Sequence, residues 1–183
     1  MTRSVVLYEL MSLDGFADDP GEGEWFGDAG EELIDFLGEV ISTQDTVLLG
    51  RRTFEKWAPY WPGSDMQPFA DFINTTPKYV FTSDALAHDW AGAVQVQQDA
   101  PSFVADLKQR SGGDIGIHGS LKLAQTLLAA QLVDELRLVV APALAGHGRQ
   151  LFRHDGELQR FELKSLDRTG GCLLLHYRRR TPS

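Results

Sequence analysis

Two periods alternate along this chain. SVVLYELM (4–11) is a short, mostly apolar run of the kind that forms a buried strand. DTVLLG (45–50), KYVFTS (78–83), AVQVQ (93–97), DIGIHG (114–119) and DELRLVVAP (134–142) repeat that pattern. Between them the spacing becomes helical. EELIDFLGEVI (31–41) places Leu33, Ile34, Leu37, Val40 and Ile41 on one face. RTFEKW opens a short helix that Pro59 and Pro62 stop, and SFVADLKQR (102–110) and LKLAQTLLAAQL (121–132) predict two more. RFELKSLDR and CLLLHYRRR flank the turn signal TGG (169–171), which predicts an antiparallel hairpin. Strands alternating with helices predict an α/β three-layer sandwich: a mostly parallel central sheet with an antiparallel C-terminal hairpin. SLDGFADDPGEGEWFGD (12–28), rich in Gly and Asp, reads as a long functional loop.

Composition narrows the classes. The 183 residues suit one domain (1–183), and no repeat or Pro/Gly linker divides them. A net charge of −9 argues against a nucleic-acid surface. No apolar stretch approaches the roughly 20 residues needed to span a bilayer. The first residues, MTRSVVLYEL, lack an export signal, so a cytoplasmic protein is expected. Cys172 is the only cysteine and no histidine pair has ligand spacing, so neither a disulfide nor a metal site is expected.

Against that acidic background, three strand ends carry anion-friendly chemistry, and ligands of open α/β sheets bind at such ends. At Gly50-Arg51-Arg52-Thr53 a glycine permits close approach, and two guanidinium groups can fork onto phosphate. Thr82-Ser83 offers two hydroxyls, beside an unfavourable Asp84. Gly119-Ser120 turns directly into a helix, whose N-terminus suits pyrophosphate or, more simply, takes Ser120 as its cap.

VLLGRRTFEKW, KYVFTSD, DIGIHGSLKLAQTLL and DELRLVVAPALAG together resemble the successive motifs of the dihydrofolate reductase fold. With SLDGF (12–16) after the first strand, the chain is most similar to the reductase domain of bacterial riboflavin-biosynthesis deaminase-reductases and its stand-alone relatives. The resemblance implies an NADPH-dependent reductase of a small heterocyclic or carbonyl substrate. It implies that Arg51, Arg52, Thr82 and Ser83 hold the adenosine 2′-phosphate of NADPH/NADP+. Gly50, Thr53, Gly119 and Ser120 would line the pyrophosphate path, with Asp14 and Gly15 beside the nicotinamide. Two rivals stay open: dihydrofolate reductase proper, and a non-catalytic NADP(H)-binding protein.

Folate reduction calls for a buried acid on the first helix. Asp35 falls about 160–180° from the centre of the Leu33/Leu37/Val40 stripe, and Glu31, Glu32 and Glu39 also point away from it. Dihydrofolate is therefore not expected to be turned over well. Asp14 is the candidate catalytic residue, able to orient substrate or relay a proton, or simply to cap its own turn. Trp57, Tyr60 and Trp61 in WAPYWPG form either an aromatic wall for a planar substrate or a cover for the core. His118 reads as a structural histidine, and Arg178–Arg180 as solvated tail charges. Consecutive Leu173, Leu174 and Leu175 put apolar groups on both faces of the hairpin, which predicts a homodimer sensitive to charge at Leu174.

Overall fold

The computed structural model describes residues 2–17, 25–27, 30–152 and 156–180. In chain order the elements are β1 (Val5–Ser12), α1 (Glu32–Ser42), β2 (Gln44–Gly50) and α2 (Arg51–Trp57). After a short 3-10 turn at Trp61–Gly63 come α3 (Phe69–Thr75), β3 (Lys78–Phe81), β4 (Ala93–Val96) and α4 (Ala100–Lys108). β5 (Asp114–His118), α5 (Leu121–Ala129), β6 (Glu135–Ala141), β7 (Phe161–Thr169) and β8 (Cys172–Arg179) complete the chain. All strands join one eight-stranded sheet in the order β4-β3-β2-β5-β1-β6-β8-β7. The first six are mutually parallel, and the β7–β8 hairpin adds the antiparallel edge.

Strand alternation divides the core into layers. Val5, Leu7, Leu48, Ile115 and Ile117 face α4 and α5. Val47, Leu49 and Val80 face α2 and α3, while Val6, Tyr8, Val139 and Leu174 face α1. This is the expected three-layer sandwich. On α1 the stripe is rotated from the expected one. Phe36, Val40 and Ile41 are buried, whereas Ile34 is 52% exposed, because Phe36 packs against Tyr8 with ring centroids 6.2 Å apart. Glu31, Glu32, Asp35 and Glu39 all face solvent.

The sequence pattern gave no hint of α3, a seven-residue helix in a segment that the neighbouring prolines mark as a loop. Helix α4 starts two residues earlier than expected. Asp99 caps it by accepting from Ser102 N at 3.1 Å, and Pro101 occupies the first turn. Arg178 and Arg179 are not free tail charges. Arg178 donates to Glu135 Oε1 through Nε at 3.0 Å and Nη2 at 2.7 Å, and Arg179 reaches Asp134. Leu174 is 3% exposed beneath α1, so the open face of the hairpin belongs instead to Leu163, Leu166 and Leu173. Part of the loop at 12–28 lies outside the described residues.

Two features of the register position the site. Tyr8↔His118 is the last pair between β1 and β5, after which β1 continues beside β6 to Ser12. A crevice therefore opens at the carboxyl end of β5. On its far side Gly50 pairs with Phe81, so Arg51 and Thr82 leave adjacent strand ends side by side.

Candidate functional site

The carboxyl ends of β2 and β5 are clasped by hydroxyls. Gly50 N donates to Ser120 Oγ at 3.1 Å, and Ser120 Oγ donates to Thr53 Oγ1 at 2.9 Å. Thr53 Oγ1 in turn donates to the Gly119 carbonyl at 3.2 Å. Four of the residues expected in the pyrophosphate path thus form one chain of bonds. The clasp has a consequence for α5. Ser120 stands at its N-cap position but makes no capping bond, because its side chain is turned across to β2. The helix begins without the side-chain oxygen that normally occupies its free N–H groups.

Gly119 adopts φ +62°, the left-handed region that glycine enters without steric cost. A Cβ there would stand 3.0 Å from Cζ2 of Trp57. Trp57 lies one turn beyond Thr53 on α2, so both reach the same glycine. Trp57 stands edge-on to Trp61 at 5.8 Å and to Phe69 at 5.7 Å. Trp61 is a core residue at 9% exposure, while Tyr60 is 53% exposed and its hydroxyl lies 3.2 Å from Met66 Sδ. The three aromatics therefore divide: Trp57 faces the clasp, Trp61 supports it, and Tyr60 faces solvent. A shallow groove runs on the surface between α1 and the Gln67–Pro68 segment, lined by Ile34, Asp35, Gly38 and Glu39 and by none of the three aromatics.

The charged groups are unequal. Arg51 is held by Glu55 one turn on, at 3.2 Å, with its side chain half exposed. Arg52 is exposed and makes no side-chain bond to another described residue. Thr82 and Ser83 fall just past β3 rather than within it, since the strand stops at Phe81. Thr82 Oγ1 accepts from Asp84 N at 3.1 Å, and its carbonyl accepts from Gln95 Nε2. Ser83 keeps its hydroxyl free among the described residues and takes Gln97 Nε2 on its carbonyl at 3.4 Å.

Asp14 sits apart from this cluster, in a second construction. Its carboxylate accepts from Ser12 Oγ at 2.6 Å, Ala145 N at 3.0 Å and Gly146 N at 2.9 Å. Gly15, at φ +83°, accepts from Leu151 N at 2.9 Å, and Ala17 N donates to the Arg149 carbonyl. The SLDGF segment is therefore latched to the 143–151 loop. The Ser12 hydroxyl above all, and then the two backbone N–H groups, hold Asp14 down at about 2. It remains a carboxylate through the neutral range.

His118, at the crevice, is 2% exposed and packs against Tyr8, Phe69 and Phe72. Its Nε2 bonds Gln44 Oε1 at 2.8 Å, passing over Gly116, where a Cβ would lie 1.9 Å from that oxygen. Burial lowers its pKa to about 3, so the ring is neutral. Gln44 carried no sequence signal as its partner. Among the described residues no group of three or more His, Cys, Asp or Glu side chains could hold a metal ion. Among the same residues no helix is long and apolar enough to cross a membrane.

Fold and strand-end arrangement define a dihydrofolate reductase-like α/β protein. Dihydrofolate reductase from Enterococcus faecalis, solved in complex with NADP(H), superposes with a TM-score of 0.63 at 16% identity, over 99% of this chain and all (100%) of that one. Within this class the chain belongs to the RibD C-terminal domain family, whose model matches residues 3–175. A Thermotoga maritima diaminohydroxyphosphoribosylaminopyrimidine deaminase/5-amino-6-(5-phosphoribosylamino)uracil reductase superposes with a TM-score of 0.69 at 19% identity, over 98% of this chain and 57% of that one. At such identities the two structures speak to the fold alone. The uncharacterized protein YwjB of Bacillus subtilis (strain 168) is 31% identical over 178 residues, covering 97% of this chain and 98% of that protein.

Proposed function

We propose that the protein is an NADPH-dependent reductase of a small heterocyclic or carbonyl substrate, related in chemistry to the riboflavin-pathway reductase domains. The observation that carries this reading is the start of α5. Its natural cap, Ser120, is spent on the clasp to Gly50 and Thr53, so its N–H groups and positive dipole end face the site. Arg52, with Arg51 beside it and Ser83 on the adjacent strand end, suits the 2′-phosphate that distinguishes NADPH from NADH.

When bound, the nicotinamide supplies the hydride; the chain supplies orientation and shelter from water. Trp57 offers a flat apolar wall against Gly119. Asp14, ionised and fully engaged, has no proton to give at neutral pH; its part is to hold the 143–151 loop in position. The test is a fluorescence titration with NADPH and NADH. Tighter binding of NADPH supports the reading, and equal affinity for the two rejects the phosphate assignment.

The same Asp14 geometry favours a second reading, an NADP(H)-binding protein without turnover. Oxidation of bound NADPH by any of a panel of aminopyrimidines, quinones and aldehydes decides between the two. The outward-facing acids of α1 argue against dihydrofolate as substrate.

We also propose a homodimer. Leu163, Leu166 and Leu173 are 48%, 55% and 40% exposed on the hairpin face that α1 does not cover. A second copy on that face would bury them and protect the sheet edge. Leu166→Glu should give a monomer by hydrodynamic mass; a parent protein that is already monomeric at micromolar concentration rejects the dimer.

A further inference from the structure

A buried lysine stands at one end of a strut that leads to the aromatic wall. Lys78 opens β3 with no exposed surface, and among the described residues it makes no ion pair. Its Nζ donates to the carbonyls of Ile73 at 2.6 Å and Thr76 at 2.7 Å, where α3 ends. A cation is well placed there, because the last carbonyls of a helix lack partners and carry its negative dipole end. The same ammonium lies 4.7 Å from the ring centroid of Trp90, itself 6% exposed. Burial lowers the Lys78 pKa to about 8.

Trp90 passes the constraint on. Its Nε1 donates to Asn74 Oδ1 at 2.8 Å, and Asn74 Nδ2 donates to the Trp61 carbonyl at 2.8 Å. One amide thus joins the 86–92 segment, α3 and the Trp61–Gly63 turn. The turn closes on itself through Ser64 N, which donates to the same Trp61 carbonyl at 3.1 Å, and Asn74 adds the one side-chain donor from outside the turn among the described residues. The Trp61 indole N–H is buried without an acceptor, so the residue is oriented through its carbonyl and its ring contacts. Trp61 in turn backs Trp57, which packs on Gly119.

We propose that Asn74 is a positioning residue for the cofactor cleft, fixing Trp61 and through it the face that Trp57 presents at Gly119. The functional half of this inference rests on the cleft binding NADPH. An asparagine suits the task because it offers an acceptor and a donor at once. Asn74→Asp keeps the acceptor for Trp90 and loses the donor for Trp61.

The experiment labels the four tryptophans (Trp25, Trp57, Trp61 and Trp90) with 5-fluorotryptophan and follows their fluorine resonances. In Asn74→Asp the signals of Trp61 and Trp57 should shift and broaden, while that of Trp25, on the α1 side, stays in place. The dissociation constant for NADPH should rise by about fivefold or more. Thr46→Val, which loosens the Arg3 network at the opposite end of the sheet, should lower the melting temperature without either change.

Unchanged Trp57 and Trp61 signals overturn the proposal. So does a displaced Trp61 with an unmoved Trp57 and parental NADPH affinity, since Asn74 would then serve local packing only. If the parent protein binds no NADPH, the functional reading fails, and the fluorine spectra still decide whether the strut sets Trp57. Should Asn74→Asp not fold, Trp90→Phe removes the other bond while leaving a ring over Lys78. It should displace Trp61 and Trp57 in the same way.

Discussion

The Gly50–Ser120 clasp and the Asp14 latch are built from similar parts and leave opposite surfaces. In the clasp, hydroxyls satisfy one another across β2 and β5, and the N–H groups at the start of α5 are left to the site. In the latch, one carboxylate takes up Ser12 Oγ and the N–H groups of Ala145 and Gly146. An arrangement that keeps backbone donors free can receive an anion. One that consumes them beneath a fixed negative charge repels it. Polar density alone does not identify a binding site; what matters is which partner is left unsatisfied.

The sharpest way to break this contrast is to remove the charge on the clasp side. Arg51→Ala combined with Arg52→Ala should weaken NADPH binding by about a hundredfold or more, from two charge-assisted contacts, and leave NADH nearly unaffected. Arg52→Ala should account for more of the loss than Arg51→Ala, because Glu55 already shares Arg51. Equal losses for NADPH and NADH would show that the arginines serve stability instead.

Acid should separate the two regions next. His118, one residue before Gly119, has its pKa lowered from 6.5 to about 3 by burial. Below pH 6.5 the unfolded chain binds a proton that the folded protein refuses, so stability falls with pH. Between pH 6.5 and 4.5 the loss should be about 2–3 kcal/mol. Asp14 acts in the same direction but in a lower window: with a pKa lowered from 3.8 to about 2, its contribution is intact above pH 4 and is lost only in stronger acid. Denaturant melts across pH 4.5–7 test this. His118→Gln should flatten the slope relative to the parent, although His176, also lowered by burial, keeps a share of it. An unchanged slope would mean that His118 is solvated enough to titrate normally.

Much of this was legible in the residues. Strand periodicity located all eight strands, and Gly50, Thr53, Gly119 and Ser120 do converge, because residues at the ends of neighbouring parallel strands must. The failures share a cause. Helical periodicity gives the spacing of α1 but not its phase, which the Phe36–Tyr8 contact sets across 28 residues of chain, so Ile34 was misassigned. Lys78, Asn74 and Gln44 are ordinary polar residues in sequence, and only tertiary partners bury Lys78 and Gln44 and engage both ends of the Asn74 amide. Asp99 and Pro101 did announce the start of α4, and that signal was readable.

A smaller effect comes from the clasp hydroxyl itself. Ser120→Ala leaves the half-buried Gly50 N without its acceptor and should cost about 1 kcal/mol of stability. If these strand ends hold the cofactor as proposed, NADPH affinity should fall with it, because they can then separate. Ser120→Thr should restore much of both. A stability loss with parental affinity would confine the clasp to folding.

The smallest change in affinity should come from the latch. Asn at position 14 keeps an oxygen acceptor but turns an NH2 group toward a cluster of donors: Ser12 Oγ, Ala145 N and Gly146 N. The loop should loosen locally, so amide exchange at Ala145 and Gly146 should accelerate in Asp14→Asn. NADPH affinity should stay within about twofold, since the proposed phosphate contacts lie at Arg51, Arg52 and the start of α5 and not at this carboxylate. The rival role, a proton relay, predicts the reverse pattern: amide protection intact and turnover abolished. It also predicts an activity limb tied to an Asp14 pKa near neutrality, whereas the Ser12 hydroxyl and two N–H groups hold that carboxyl near 2. Exchange rates and turnover measured on the same variant therefore decide whether Asp14 holds the loop or serves the chemistry.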